Sequence, residues 1–173
     1  AQSDTSRIDG LVIQGATLID GNGGAPLPNS IVVVEGSQIV AVGRAGAIEI
    51  PEGLPIEDAS GRFLLPGLID VHAHALVPTC EATPNGTRVT GFDWDLSTEL
   101  AGALLRFGIT TARSPATPTQ LGIAMRDSVA TGAVHGPRLL ISGEFINDRR
   151  MSPEAIREEV RAQAEAGADY IKL

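Results

Sequence analysis

Aromatic residues are scarce in this chain, with four Phe, one Tyr and one Trp among 173 residues, so any core it builds must be aliphatic. Cysteine is nearly absent as well. Cys80 stands alone, which excludes an intrachain disulfide and leaves the redox compartment unread. It lies in a polar stretch and is read as an ordinary loop residue rather than a nucleophile or a metal ligand. Basic residues are outnumbered, 13 Lys and Arg against 21 Asp and Glu, for a formal net charge of −8. That balance argues against nucleic acid and against an anionic membrane as the main partner, because both reward basic patches. Apolar runs such as Ile31-Val32-Val33-Val34 fall far short of the roughly 20 residues that cross a bilayer. The opening Ala1-Gln2-Ser3-Asp4-Thr5-Ser6 carries no Met and no charged-then-apolar leader, which fits a mature terminus left by signal peptidase, and so a periplasmic or secreted protein, or simply a trimmed chain, for which a cytoplasmic location stays open.

What is present is 43% hydrophobic and 20% charged, with 20 Gly, the composition of an α/β globular protein. Residues 1–62 read as short strands at 10–14, 16–19, 31–35 and 38–42, separated by turns at Asp20-Gly21-Asn22-Gly23-Gly24 and Glu35-Gly36-Ser37. The Gly-rich turn lacks dinucleotide spacing and opens no helix, so a hairpin connection is expected there and not a phosphate cradle. From residue 63 the pattern changes to strands alternating with helices, the mark of βα units and a parallel sheet. A strand is expected at 63–72, a long functional loop at about 75–95, and a helix at 96–107 capped by Asp95. Strand 109–112 follows, then a helix at 118–131 with Leu121, Met125 and Val129 on its core stripe, and strand 137–142. Ser152-Pro153-Glu154 starts a further helix whose Ile156, Val160 and Ala164 face the sheet, and Gly167 gives way to a last strand ending at Lys172-Leu173.

One motif carries chemistry. In Asp70-Val71-His72-Ala73-His74 two imidazoles stand two residues apart at the end of an apolar strand, where alternate side chains share a face and their Cα atoms lie about 6.6 Å apart. Two neutral imidazoles so placed can converge on one divalent ion at about 2.0–2.1 Å each.

The segment from Pro66 to His74 resembles the first-strand signature of the amidohydrolase superfamily, metal-dependent hydrolases built on a (β/α)8 barrel. Gly167-Ala168-Asp169-Tyr170-Ile171-Lys172-Leu173 is similar to the fourth barrel strand of that family. Gly108-Ile109-Thr110-Thr111-Ala112-Arg113 and Gly132 to Arg138 are similar to its imidazolonepropionase-like and Xaa-Pro dipeptidase-like branch. The implied architecture is the N-terminal half of a TIM barrel, residues 63–173 with strands one to four, preceded by part of a small β-sandwich, residues 1–62. The resemblance implies that His72 and His74 hold one metal. It implies that Lys172 carries a CO2-derived carbamate bridging to a second metal, and that the two divalent ions are zinc. An unmodified lysine ammonium would repel them, whereas the carbamate is an anionic oxygen donor. Asp70 is the expected partner that orients a histidine. Ser114 departs from the family, whose members often carry an acid there. His135 precedes a strand, at the end away from barrel chemistry, and is read as a loop residue.

The implied activity is hydrolysis of amide or related C–N bonds, in dipeptides or N-acyl amino acids, by a metal-activated hydroxide. The family takes further ligands from later strands. The expectation is therefore a second polypeptide that supplies the rest of the barrel and covers the open edge of the last strand, within a higher oligomer. The alternative is a noncatalytic, amidohydrolase-like structural or regulatory subunit. A small-molecule-binding β-sandwich with an appended α/β lobe leaves the His-Ala-His strand unexplained.

Overall fold

The computed structural model describes residues 9–173, so the terminal reading of residues 1–6 lies outside the described residues. Contacts divide the chain into two units, Ala1–Pro66 and Gly67–Leu173, which places the divide after Pro66 instead of after Arg62.

In the first unit, β-branched alternation builds a four-stranded sheet in the order β4-β3-β1-β5 from β1 (Gly10–Gln14), β3 (Ser30–Glu35), β4 (Gln38–Arg44) and β5 (Ile56–Asp58), while β2 (Thr17–Leu18) lies apart from it. β1 runs antiparallel to β3, with Val12 opposite Val33, and parallel to β5. The expected turn at Gly36 joins β3 to β4, with Gly36 at φ +56°. Val12, Ile31, Val33 and Leu54 form the core on one face. On the other face Ile13, Val32, Val34, Ile39 and Val42 line an apolar groove of about 440 Å³. The Gly-rich stretch is a connection, as expected, closed by an antiparallel bridge between Leu18 and Leu27. β5 is the strand of this unit that the sequence reading missed.

The single strand expected at 63–72 is two. β6 (Phe63–Leu64) pairs in parallel with β2, and β7 (Leu68–Asp70) pairs with β10 (Ile109–Ser114) in the second unit. Pro66 has no N–H to give a ladder, which breaks the run between them. Gly67 follows because its backbone passes so close to Thr110 that a β carbon would collide with that side chain.

The second unit is a parallel sheet in the order β7-β10-β11, with β11 at Arg138–Ile141. Helices follow the strands: α1 (Trp94–Arg106) before β10, α2 (Thr119–Ala130) before β11, and α3 (Pro153–Glu165) after it. The core holds Ala75, Leu76, Ala112, Met125, Leu139 and Ile141.

Four expectations are corrected here. The loop at 75–95 is a hairpin of β8 (Val77–Thr83) and β9 (Gly86–Asp93) closed by Pro84-Asn85; its β-branched residues 79, 83, 87, 89 and 90 outweigh the turn formers. The cap of α1 is Asp93, whose carboxylate accepts the Leu96 N–H at 2.9 Å, and Asp95 sits in the first turn instead. On the helices, Leu121 is exposed and Gly122 takes its place on the buried stripe, while on α3 Gln163 is buried and Ala164 is not. Ser152 caps α3 as expected. The last strand reduces to a parallel bridge between Phe145 and Lys172. Asp169 explains the loss. Its N–H reaches the Ile141 carbonyl at 2.8 Å, as a parallel ladder requires, but its carboxylate accepts the Ile141 N–H at 2.8 Å. The Gly167 carbonyl, the regular acceptor in that register, is occupied by Arg126 Nη1 at 2.7 Å.

Candidate active site

Parallel strands of this sheet end together at residues 70–74, 113–114, 141–143 and 172, and side chains at such carboxyl ends are where α/β proteins place their chemistry. β7 stops at Asp70, so strand alternation alone does not orient the histidines. Three hydrogen bonds do. The Asp70 carboxylate accepts the His72 N–H at 2.9 Å, the Ala73 N–H donates to the Arg113 carbonyl at 2.9 Å, and the Ala75 N–H donates to Ser114 Oγ at 2.9 Å. The last two hold the backbone on either side of His74. The outcome is that both imidazoles are exposed and their ring centroids stand 5.6 Å apart at an interplanar angle of 61°.

Asp70 therefore acts on the backbone of His72; no hydrogen bond joins it to an imidazole nitrogen. Ser114 is the functional residue that sequence reasoning undervalued. At the position where members of the resembling family often carry an acid stands a fully buried hydroxyl that accepts from the Ala75 N–H and meets Thr117 Oγ1 at 2.9 Å. The strand ends are tied to one another in the same way: Ser142 Oγ accepts the Ala116 N–H at 2.9 Å, holding Ala116 at φ +54°, and Thr117 N–H donates to the Gly143 carbonyl.

Lys172 is half-buried, with its backbone bridged to Phe145 and its Nζ 5.5 Å from the Phe145 ring centroid. β10 and β11 lie between it and the histidine segment in the sheet. The structure thus brings His72 and His74 together and places Lys172 at the far side of the same row of strand ends. Among the described residues no group of three or more His, Cys, Asp and Glu is placed to hold a metal ion. His135 is exposed ahead of β11, at the opposite end, and Cys80 is exposed on the hairpin.

Two further side chains share the row. Arg113, half-buried, has its guanidinium carbon 4.0 Å from the centroid of the Tyr170 ring. The Tyr170 hydroxyl is buried without a hydrogen-bond partner among the described residues. Burial pushes this phenol above its ordinary pKa, and the Arg113 charge opposes the shift.

No family model matches the chain. Over 72 residues it is 38% identical to a dihydroorotase of Pelotomaculum thermopropionicum, a match that takes in 42% of this chain and 16% of that enzyme. Over 64 residues it is 46% identical to an N-acyl-D-aspartate deacylase of Alcaligenes xylosoxydans xylosoxydans, covering 37% of this chain and 12% of the relative. Among solved structures it resembles a Xaa-Pro dipeptidase with bound methionine, at a TM-score of 0.73 and 21% identity, over 94% of this chain and 46% of that one. The chain thus spans less than half the length of each of these proteins. The likeness expected from the sequence is found in both comparisons, and the partial coverage of these relatives fits a portion of a longer protein.

Proposed function

We propose that this chain, similar in sequence and fold to the N-terminal portion of amidohydrolase-superfamily enzymes, furnishes part of the active site of a metal-dependent hydrolase of amide or related C–N bonds. The observation that carries the reading is the spacing of His72 and His74. Two imidazoles that share an ion at about 2.1 Å per nitrogen have ring centroids about 5 Å apart at a tetrahedral angle. The 5.6 Å separation of the His72 and His74 rings supports that donor set. Exposure of both rings leaves their nitrogens free to ligate.

In this reading His72 and His74 hold one of two divalent ions, zinc by expectation, and a carbamate on Lys172 bridges to the other. The neutral Lys172 amine adds to carbon dioxide, forming an N–C bond and releasing one proton, which converts a repelling cation into an anionic oxygen donor. When bound, such ions polarise a substrate carbonyl and bring the ionisation of water down toward neutral pH. The chain's own contribution is to fix the two imidazoles through Arg113, Ser114 and Asp70. Three donors are too few to enclose two ions, so further ligands come from outside residues 1–173. Exposed Leu68, Ile69, Val71 and Leu173 at the two sides of the second unit support packing of further polypeptide there.

Dipeptides and N-acyl amino acids are the proposed substrates. The test is metal analysis of the complete enzyme that contains this chain, supplied with zinc and bicarbonate. Close to two ions per site are expected, falling sharply together with activity in the His72→Ala, His74→Ala double variant. Intact mass under gentle conditions should show a gain of about 44 Da removed by Lys172→Ala, the mass of bound carbon dioxide. An enzyme that stays metal-free under these conditions would overturn the proposal and favour the noncatalytic subunit.

A further inference from the structure

The path of the chain into Lys172 is set three residues earlier, by an ion pair. Asp169 Oδ2 accepts the Ile141 N–H at 2.8 Å and meets Arg126 Nη1 at 3.1 Å, so one carboxylate oxygen holds both β11 and α2. The same Nη1 donates to the Gly167 carbonyl at 2.7 Å, while Arg126 Nε donates to Asp127 Oδ1 at 2.9 Å and keeps the guanidinium aimed at the segment. The side chains of Arg126 and Asp169 are only 22% and 29% exposed. In the other ion pairs of this unit the arginines, Arg88, Arg150 and Arg157, are between 62% and 89% exposed. Charge-assisted bonds that are partly shielded from water lose less to screening, so this pair is the firm one. All of its partners belong to this chain. Beyond Asp169 the segment meets the chain after β11 again at the bridge to Phe145, where the Ile146 N–H donates to the Lys172 carbonyl at 3.1 Å. Three residues of extended chain span about 10 Å, so a shift at Asp169 passes along a short lever to Lys172.

We infer that Arg126 and Asp169 are positioning residues for Lys172: the ion pair between α2 and the last segment sets where the lysine amine stands, and with it how firmly a carbamate there is held. The inference rests on the hydrolase reading and adds to it a determinant that touches neither metal nor substrate. In every variant the amine forms the same N–C bond to carbon dioxide and gives up one proton to solvent. Only the equilibrium of that step changes.

The experiment titrates the complete, zinc-supplied enzyme with bicarbonate and reads carbamate occupancy from its intact mass. Arg126→Met should raise the half-saturating bicarbonate about tenfold, the lower end of the scale for lost supporting bonds around a metal site. Asp169→Asn keeps an oxygen for the Ile141 N–H but loses the charge, and should raise it about threefold; it stands as the test if Arg126→Met does not fold. Excess bicarbonate should restore zinc content and activity in Arg126→Met, a rescue that simple loss of fold would not permit. Ser97→Ala removes the bond from the Val77 N–H at 2.9 Å in another part of the unit, and should lower stability while leaving the half-saturation unchanged. Equal half-saturation in wild type and in the Arg126 and Asp169 variants, or an equal rise in Ser97→Ala, would overturn the positioning role. A wild type that takes up no carbon dioxide at any bicarbonate concentration counts against the hydrolase reading alone, and the position of the lysine then decides the inference. Lys172 is the one lysine among the 173 residues, and its Nζ lies 5.5 Å from the Phe145 ring centroid, so isotope-labelled lysine gives an NMR signal shifted by that ring and assigned by its loss in Lys172→Met. Movement of that signal in Arg126→Met and Asp169→Asn, with none in Ser97→Ala, sustains the inference, and an unmoved signal refutes it.

Discussion

Replacing Ser114 with alanine should destabilise the second unit by about 2 kcal/mol, the middle of the range for leaving one buried donor unsatisfied. The side chain is fully buried, and its oxygen accepts the Ala75 N–H at 2.9 Å. Alanine keeps the β carbon and removes one atom, so the cavity contribution is small. Thr117 also loses a partner, but its hydroxyl keeps the Ser114 backbone carbonyl at 3.1 Å, which the substitution leaves in place. One orphaned donor remains, the Ala75 amide. With a urea dependence of about 2 kcal/mol per molar, the midpoint falls by about 1 M. Trp94 is the single tryptophan and opens α1 of this unit, so its fluorescence follows the transition. The bonds at Ala73 and Ala75 hold the backbone on either side of His74, so on the proposed metal-dependent reading zinc affinity of the complete protein should also drop by about 10-fold to 100-fold, the scale of lost supporting bonds around a metal site. Thr117→Val, which leaves Ser114 bonded to Ala75, should hold zinc affinity within about threefold. A Ser114→Ala midpoint shift below about 0.25 M, with zinc affinity unchanged, would refute the argument that this hydroxyl positions the histidine segment.

Gly122→Ala should cost about 1–3 kcal/mol through overpacking, because a β carbon there would sit 2.6 Å from Ile141 Cγ2 and 2.7 Å from Thr117 Cγ2; thermal unfolding followed at Trp94 measures it, and an unchanged melting temperature would contradict the close approach of α2 to β11. Asp58 is held below the usual carboxylate range by its hydrogen bonds with Ser60. Its contribution to stability is therefore complete above the ordinary carboxylate pKa of about 3.9 and is lost as pH falls through the lower folded value. Carboxyl titration by NMR should find Asp58 moving back toward the ordinary value in Ser60→Ala, and an unshifted wild-type carboxyl would negate this.

The residues that make the candidate site legible are the ones whose chemistry is local. His72-Ala73-His74 places two imidazoles close together by spacing along the chain, and Ser152-Pro153-Glu154 announces a helix start that the structure reproduces. The hairpin at 77–93 was legible too, in Asn85-Gly86 between β-branched runs, but Pro, Gly and Asn were weighed as loop formers when they were punctuation between strands. The sequence reading named Asp95 as the cap of α1. The structure chose Asp93, where the hairpin ends and Ser97 hydroxyl meets the Asp93 carbonyl. The break at Pro66 was visible as a missing donor, yet the apolar run across it read as one strand because hydrophobicity does not report which partner each half will find.

The sequence by itself determined the aliphatic core, the switch from short strands to alternating strands and helices, the histidine pair and the resemblance those residues carry. All of these depend on spacing along the chain or on residue type. Only the tertiary structure decided that Ser114 would supply the acceptor for the backbone after His74, that Asp169 would replace a ladder carbonyl, and that Arg113 would reach Tyr170 across β11. Each of those unites residues 39, 28 and 57 positions apart, and pairings at such separations are set by strand register and competition for buried hydrogen bonds, which no local pattern encodes.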